Sequence, residues 1–147
     1  DAYDSKAEYL QALEDNGIKV KEEYIEYGEP DEEGGEQAVI NLIAKNTPIT
    51  AIATYNDYMA AGCMALLQEN GIRIPEDMSV IGFDDGHIAR YIYPRLTTIR
   101  YPIQIMANQA VNLSLKLASR DTEEQTEHKL FIPILVRRSS VGCISSK

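Results

Sequence analysis

The chain has 147 residues, enough for one domain with its own core, and 23 acidic against 14 basic residues give a net charge of −9. Such an acidic surface repels phosphate backbones and anionic lipid, so we expect this chain alone to bind neither DNA nor membranes. It contains no apolar run long enough for a transmembrane helix, and we expect no signal peptide. Cys63 and Cys143 are expected to be reduced core thiols, and their spacing indicates no metal site.

The first third of the chain predicts helix, strand and helix. Apolar spacing favours a helix over residues 5–16, ended by Gly17, and looser alternation favours a strand over residues 18–27. Asp31 or Glu32 then begins a helix that runs to about residue 45, with acidic residues in its first turn. The side chains expected to face the core are Ala38, Ile40, Leu42 and Ile43.

The middle of the chain predicts a strand over residues 50–55, a helix over 57–69 and a strand over 78–83. This order indicates a right-handed crossover between parallel strands. The small residues at 59–62 predict that another element packs closely on the helix, and Gly71 is placed to end it in a left-handed conformation.

The remainder predicts a short strand over 96–100, a helix over 102–118, a polar loop over 119–128 and a strand over 130–136. Before these comes an apolar segment, residues 88–94. Together with the helix over 57–69, it indicates either a protein contact or ordinary core packing.

Polar pairs follow both central strands: Asn56-Asp57 and Asp84-Asp85. In an open α/β sheet, ligands bind at this carboxyl edge. Three interpretations stay open: hydrogen bonding to the hydroxyls of a polyol, a Mg²⁺ site, or capping of the helix that begins at Asp57. His87 is close enough in sequence to Asp85 to suggest an acid–base pair. No nucleophile motif or phosphate-binding motif accompanies the pair. We therefore predict no catalytic residue, and we also predict no metal and no cofactor.

Four motifs in register resemble the lac/gal repressor family (LacI/GalR). They are residues 55–62, 71–75, 80–85 and 94–99, and residues 27–38 and 135–138 are more narrowly similar to the galactose operon repressors and isorepressors.

The resemblance implies an α/β fold like that of periplasmic binding proteins, with a parallel sheet flanked by helices and a ligand held between two lobes. All of residues 1–147 would belong to the effector-binding domain: residues 1–95 and 130–147 to the C-terminal lobe, and 96–129 to a crossover and a helix of the N-terminal lobe. The helix-turn-helix that binds DNA would lie outside this chain.

The resemblance also implies site residues. Asn56 and Asp84 match positions that hydrogen-bond the effector, while Ser5 stands where the family usually places an arginine that reaches the sugar. The other implied effector-binding residues are Pro30, Tyr101 and Ile103. A dimer interface is implied at Met59, Cys63, Leu66, Ile88, Tyr91 and Ile92.

The function implied is sugar-responsive transcriptional repression in the cytoplasm, with this chain as the effector-binding and dimerising part. Galactose or a related sugar would change the lobe orientation of a homodimer and thereby its affinity for operator DNA. The alternative is a sugar-binding protein of a transport or chemoreceptor system with the same fold.

Overall fold

The computed structural model describes residues 2–118 and 129–143, and for residues 2–5 the backbone alone. Within these residues four strands form one sheet in the order β1-β2-β3-β4. The first three strands are parallel, as predicted, whereas the last is antiparallel to β3. The strands are β1 (Ala51–Ala53), β2 (Ser79–Phe83), β3 (Thr97–Arg100) and β4 (Ile134–Val136).

Four helices flank the sheet, and all four are predicted from the sequence. They are α1 (Ala2–Asp15), α2 (Glu32–Ala44), α3 (Asp57–Glu69) and α4 (Ile103–Ala118). The Asp31 side chain accepts a hydrogen bond from Gly34 N at 2.8 Å and so caps α2. Gly71, with φ of 75°, follows α3 in the expected left-handed conformation. No helix in the described part of the chain is long and apolar enough to cross a membrane.

Glycines bring α2 and α3 into backbone contact. A Cβ on Gly35 would lie 2.1 Å from Met59 O, and one on Gly62 would lie 1.9 Å from Glu32 O. The close packing predicted for residues 59–62 is therefore confirmed, and α2 is the neighbour. The core lies between these helices and the central strands, and its most buried side chains are Val39, Cys63, Met64, Leu67, Val80 and Leu96.

Gly62→Ala is expected to destabilise the protein by about 1–3 kcal/mol, because the obstacle is a backbone carbonyl, which cannot turn aside as a side chain can. Gly17→Ala is the matched control: nothing lies within 4 Å of its added Cβ, so its cost is confined to the positive φ of 72°. Urea midpoints of the full-length variants measure both. Equal midpoints for Gly62→Ala and wild type would contradict the packing described.

Two local predictions are wrong. Residues 18–27 form no strand; a 3-10 turn interrupts them at Glu22–Tyr24, and there the backbone N–H groups of Tyr24 and Ile25 bond to local carbonyls. In α2, Ile40 and Ile43 are about half exposed. Val39 takes the core position because the buried face is set by the glycine contact with α3.

Most residues after β3 are exposed. No side chain of α4 is buried, and β4 is shorter than the strand predicted over 130–136. The predicted loop over 119–128 lies outside the described residues. The assignment of residues 96–129 to a second lobe stays a prediction.

Candidate functional site at the carboxyl edge of the sheet

Parallel pairing brings the ends of β1, β2 and β3 to one edge of the sheet. The register places Ala53 beside Ile81 and Phe83 beside Ile99, so the residues that follow each strand lie together. Asp84 N donates a hydrogen bond to Ile99 O at 2.9 Å, which fixes the turn after β2 to the end of β3.

Asn56 is 9% exposed and joins two elements at this edge. Its Oδ1 accepts from Met59 N at 2.8 Å, which caps α3, and its Nδ2 donates to Pro30 O at 2.8 Å. The capping interpretation is therefore right for Asn56. Each polar atom retains one further bonding position, a second N–H and a second lone pair. Pro30, one of the implied effector contacts, is thus held next to Asn56 through its carbonyl.

Asp57 is a buried cross-link and not only the first residue of α3. Its carboxylate accepts hydrogen bonds from Thr98 Oγ1 at 2.6 Å and from Gly86 N at 2.6 Å. Burial raises the pKa of Asp57 despite these two bonds. A Cβ on Gly82 would lie 2.2 Å from Asp57 Oδ1, so the glycine makes the room this carboxylate occupies. Asp57 therefore ties α3 to the ends of β2 and β3.

Asp85 is the centre of an ion cluster, with a side chain only 1% exposed. Its Oδ1 accepts from Arg138 Nη2, while its Oδ2 accepts from Arg100 Nε at 2.6 Å and from Arg90 Nη2 at 3.3 Å. Burial acts to raise the pKa of Asp85, but the bonds from Arg138 and Arg100 outweigh it and lower the pKa.

Asp84 differs from both neighbouring carboxylates because it stays available. Within residues 2–118 and 129–143 its side chain accepts no hydrogen bond, and the residue is exposed. Asp84 and Asp85 have φ of 104° and 52°, in the left-handed region that residues with a side chain rarely adopt. Partial desolvation raises the pKa of Asp84, and the negative charge of Asp57 raises it further.

Aromatic side chains accompany Asp84. The rings of Phe83 and Tyr101 meet edge to face, with centroids 5.2 Å apart. Burial raises the pKa of Tyr101, and the charges of Asp84 and Glu8 and the neighbouring Tyr55 raise it further, which places these groups near the Tyr101 hydroxyl.

The site thus contains predicted and unpredicted residues. Ile103, which is 62% exposed, starts α4 beside Tyr101, with its N–H bonded to Tyr101 O at 2.9 Å. Ser5 lies one turn before Glu8 in α1, and its side chain is outside the described residues. Tyr55 and Phe83 were missed, although each immediately precedes one of the polar pairs.

The implied dimer residues differ in accessibility. Tyr91 is 73% exposed, and Leu66, Ile88 and Ile92 are partly exposed. Met59 and Cys63 are buried between α2 and α3 and have no face toward another copy, so we propose the interface without them. Cys63 Sγ donates to Gly35 O at 3.2 Å, and burial raises its pKa to about 12. Cys143, expected in the core, is exposed.

The acid–base pair suggested for His87 and Asp85 is not formed, since Asp85 bonds to arginines and His87 stacks on Tyr91 with ring centroids 4.6 Å apart. The described residues contain no cluster of three or more His, Cys, Asp or Glu suited to a metal ion. What the edge offers is a carboxylate, hydroxyls and ring faces, which is the chemistry of a polar small-molecule site in an open α/β sheet.

Comparison with known proteins agrees with this class of fold. Residues 2–141 match the periplasmic binding protein-like domain. The chain belongs to that family, in the form found as the effector-binding domain of LacI/GalR regulators.

Individual relatives show how much of the protein this chain represents. It is 50% identical over 143 residues to the HTH-type transcriptional regulator GalR of Escherichia coli K12, covering 97% of this chain and 41% of that protein. A LacI-type regulator from Bifidobacterium animalis matches 92% of the chain and 48% of its own, with a TM-score of 0.84 at 32% identity.

A LacI family regulator from Enterococcus faecium with bound ribose matches 80% of this chain and 43% of its own, with a TM-score of 0.71 at 30% identity. The chain therefore spans less than half the length of each of these three relatives. These relatives are transcriptional regulators and not enzymes.

Proposed function

We propose that this chain is the effector-binding part of a sugar-responsive transcriptional repressor. The observation that carries the proposal is a contrast among three carboxylates at the edge of the sheet. Asp57 and Asp85 accept hydrogen bonds from other residues of the chain. The oxygens of Asp84 accept none within the described residues, so they are available to a ligand. Free carboxylate oxygens accept hydrogen bonds from sugar hydroxyls, and an ionised acceptor makes the stronger bonds.

The neighbouring groups suit the rest of a sugar. The Tyr101 ring, braced by Phe83, offers an apolar face for the C–H side of a pyranose, and its hydroxyl a further hydrogen bond. The spare N–H of Asn56 and the ring of Pro30 would close the site from the α2 side. Glu8 follows Ser5 by three positions in α1, and its carboxylate would accept sugar hydroxyls near the position where the family usually has an arginine. We include Ser5 and Ile103 in the proposed site.

Galactose or a related sugar is the effector we propose, because residues 27–38 and 135–138 resemble the galactose operon repressors. The sugar would bind one orientation of the two lobes better than the other and shift the population toward it. In a homodimer that contacts through Tyr91, Leu66, Ile88 and Ile92, this shift would separate the DNA-binding domains and weaken operator binding.

A thermal-shift panel of monosaccharides on the full-length protein tests the proposal. We expect galactose or a close stereoisomer to raise the unfolding temperature, since a ligand at about 100 times its Kd stabilises the folded state by about 2.7 kcal/mol. Glucose is the matched comparison, because it differs from galactose only in the configuration of one hydroxyl group. If no monosaccharide raises the unfolding temperature, the sugar-binding proposal is wrong.

A further inference from the structure

The surface carries a second concave site, on the Asp85 side of the sheet. This pocket has a volume of about 570 Å³ and is lined by Arg90, Tyr91, Arg95, Arg100 and Arg138. Four arginines thus gather at one place in a chain whose net charge is −9. We refer to it as the arginine pocket.

The charges of the arginine pocket do not balance. Asp85 is the carboxylate that pairs with Arg90, Arg100 and Arg138, and its side chain is 1% exposed with both oxygens engaged. The side chain of Arg95 makes no hydrogen bond or ion pair within the described residues. The Asp57 carboxylate also interacts with Arg138. Two carboxylates against four guanidinium groups leave two positive charges in excess, whereas an ion cluster that only stabilised the fold would need no such surplus.

Unused N–H donors accompany this excess charge. Arg100 bonds to Asp85 through Nε alone, which leaves its two terminal nitrogens free, and Arg90 uses one terminal nitrogen. Arg138 is 13% exposed on its side chain and is fixed by Asp85 and by Leu96 O at 2.7 Å. Asp85 therefore holds the guanidinium groups in place while their remaining donors line the pocket, so an anion would meet donors that are already positioned.

We propose that the arginine pocket binds the phosphoryl group of a small anion. A phosphate dianion offsets the surplus charge, and its oxygens accept the paired N–H groups of a guanidinium fork. The volume also accommodates a small organic group attached to the phosphate. The residues that line the arginine pocket include none of those in the proposed sugar site, and Asp84 would repel an anion, so the two sites are distinct.

Titration calorimetry of inorganic phosphate into the full-length protein, near neutral pH and at constant ionic strength, tests the proposal. We expect saturable binding at one site per chain. Arg95→Ala should weaken it about 10-fold or more, the usual effect of losing a hydrogen bond to a charged group. The Arg95 side chain has no partner in the described part of the chain, and its backbone oxygen keeps the bond from Ser139 N, so the variant should unfold at the wild-type temperature.

Arg137→Ala is the matched control, because Arg137 is exposed, makes no hydrogen bond or ion pair within the described residues and does not line the pocket. It should bind phosphate like wild type. A hexose phosphate distinguishes two sources of the ligand: tighter binding than inorganic phosphate indicates a phosphorylated sugar, and equal binding indicates free phosphate.

The proposal is overturned if neither compound gives saturable heat, or if Arg95→Ala binds as wild type does. It is also overturned if Arg95→Ala loses affinity for the unphosphorylated sugar, because the two sites would then be one.

Discussion

Asp84→Ala is expected to weaken sugar binding by the full-length protein at least about 100-fold, to the point of no measurable heat in titration calorimetry. Of the three carboxylates that follow the strands at this edge, the variant removes the one whose oxygens accept no hydrogen bond within the described residues, and hydrogen bonds to an ionised group contribute about 1.5–3 kcal/mol each. Glu76→Ala, which removes an exposed carboxylate before the other end of β2, should leave the affinity unchanged.

Asp84→Asn separates binding from folding. The raised pKa of Asp84 means that the fold disfavours its ionised form, so at neutral pH this charge works against stability. We therefore expect the unliganded Asp84→Asn protein to unfold at the wild-type temperature or slightly above it, while its sugar affinity falls. Wild-type affinity in either Asp84 variant would contradict the assignment of this residue to the site.

Asp85→Ala is expected to cost about 3–5 kcal/mol of stability, the range for removing one partner of a buried ion pair. Arg138 would keep a largely buried charge with no carboxylate opposite it. Glu23→Ala is the matched control, because it breaks an exposed ion pair, that with Lys21, for which the loss should stay below about 1 kcal/mol. Urea midpoints compare the two, and similar losses would contradict the central role of Asp85.

The lowered pKa of Asp85 predicts that the free energy of unfolding decreases at acid pH. The pKa of Asp85 is lowered in the folded protein, so its contribution is present above the unfolded value of about 3.9 and is lost as pH falls through the lower folded value. Between about pH 4 and the acid transition, wild type should therefore lose stability more steeply than Asp85→Asn. Parallel pH profiles of the two proteins would contradict this linkage.

The strand–helix–strand unit was predictable because its signals are local. The two buried strands, the helix cap at Asn56 and the Gly71 that ends α3 all lie within one short stretch of the sequence. The strand predicted over residues 18–27 is wrong because the prediction rested only on the spacing of apolar residues. It did not take into account the adjacent Glu22 and Glu23, which begin a 3-10 turn.

The site's internal bonds were not predictable, since they join distant parts of the chain. Asp57 meets Thr98, 41 positions away, and Asp85 meets Arg138, 53 positions away. The residues alone therefore left the three carboxylates at the edge of the sheet equivalent, and only the family resemblance singled out Asp84. Their different roles depend on which partners the fold brings to each one, and that left Asp84 as the available acceptor.

Operator binding measured with and without sugar tests the central claim most directly. Full-length wild type and Asp84→Ala would be titrated with a duplex selected for binding to the wild type, in the absence and presence of the sugar identified by thermal shift. The proposed function predicts that the sugar weakens operator binding by wild type and leaves that of Asp84→Ala unchanged. The proposed function is contradicted if the sugar leaves the operator affinity of the wild type unchanged. It is also contradicted if the sugar weakens operator binding by the wild type and by Asp84→Ala equally.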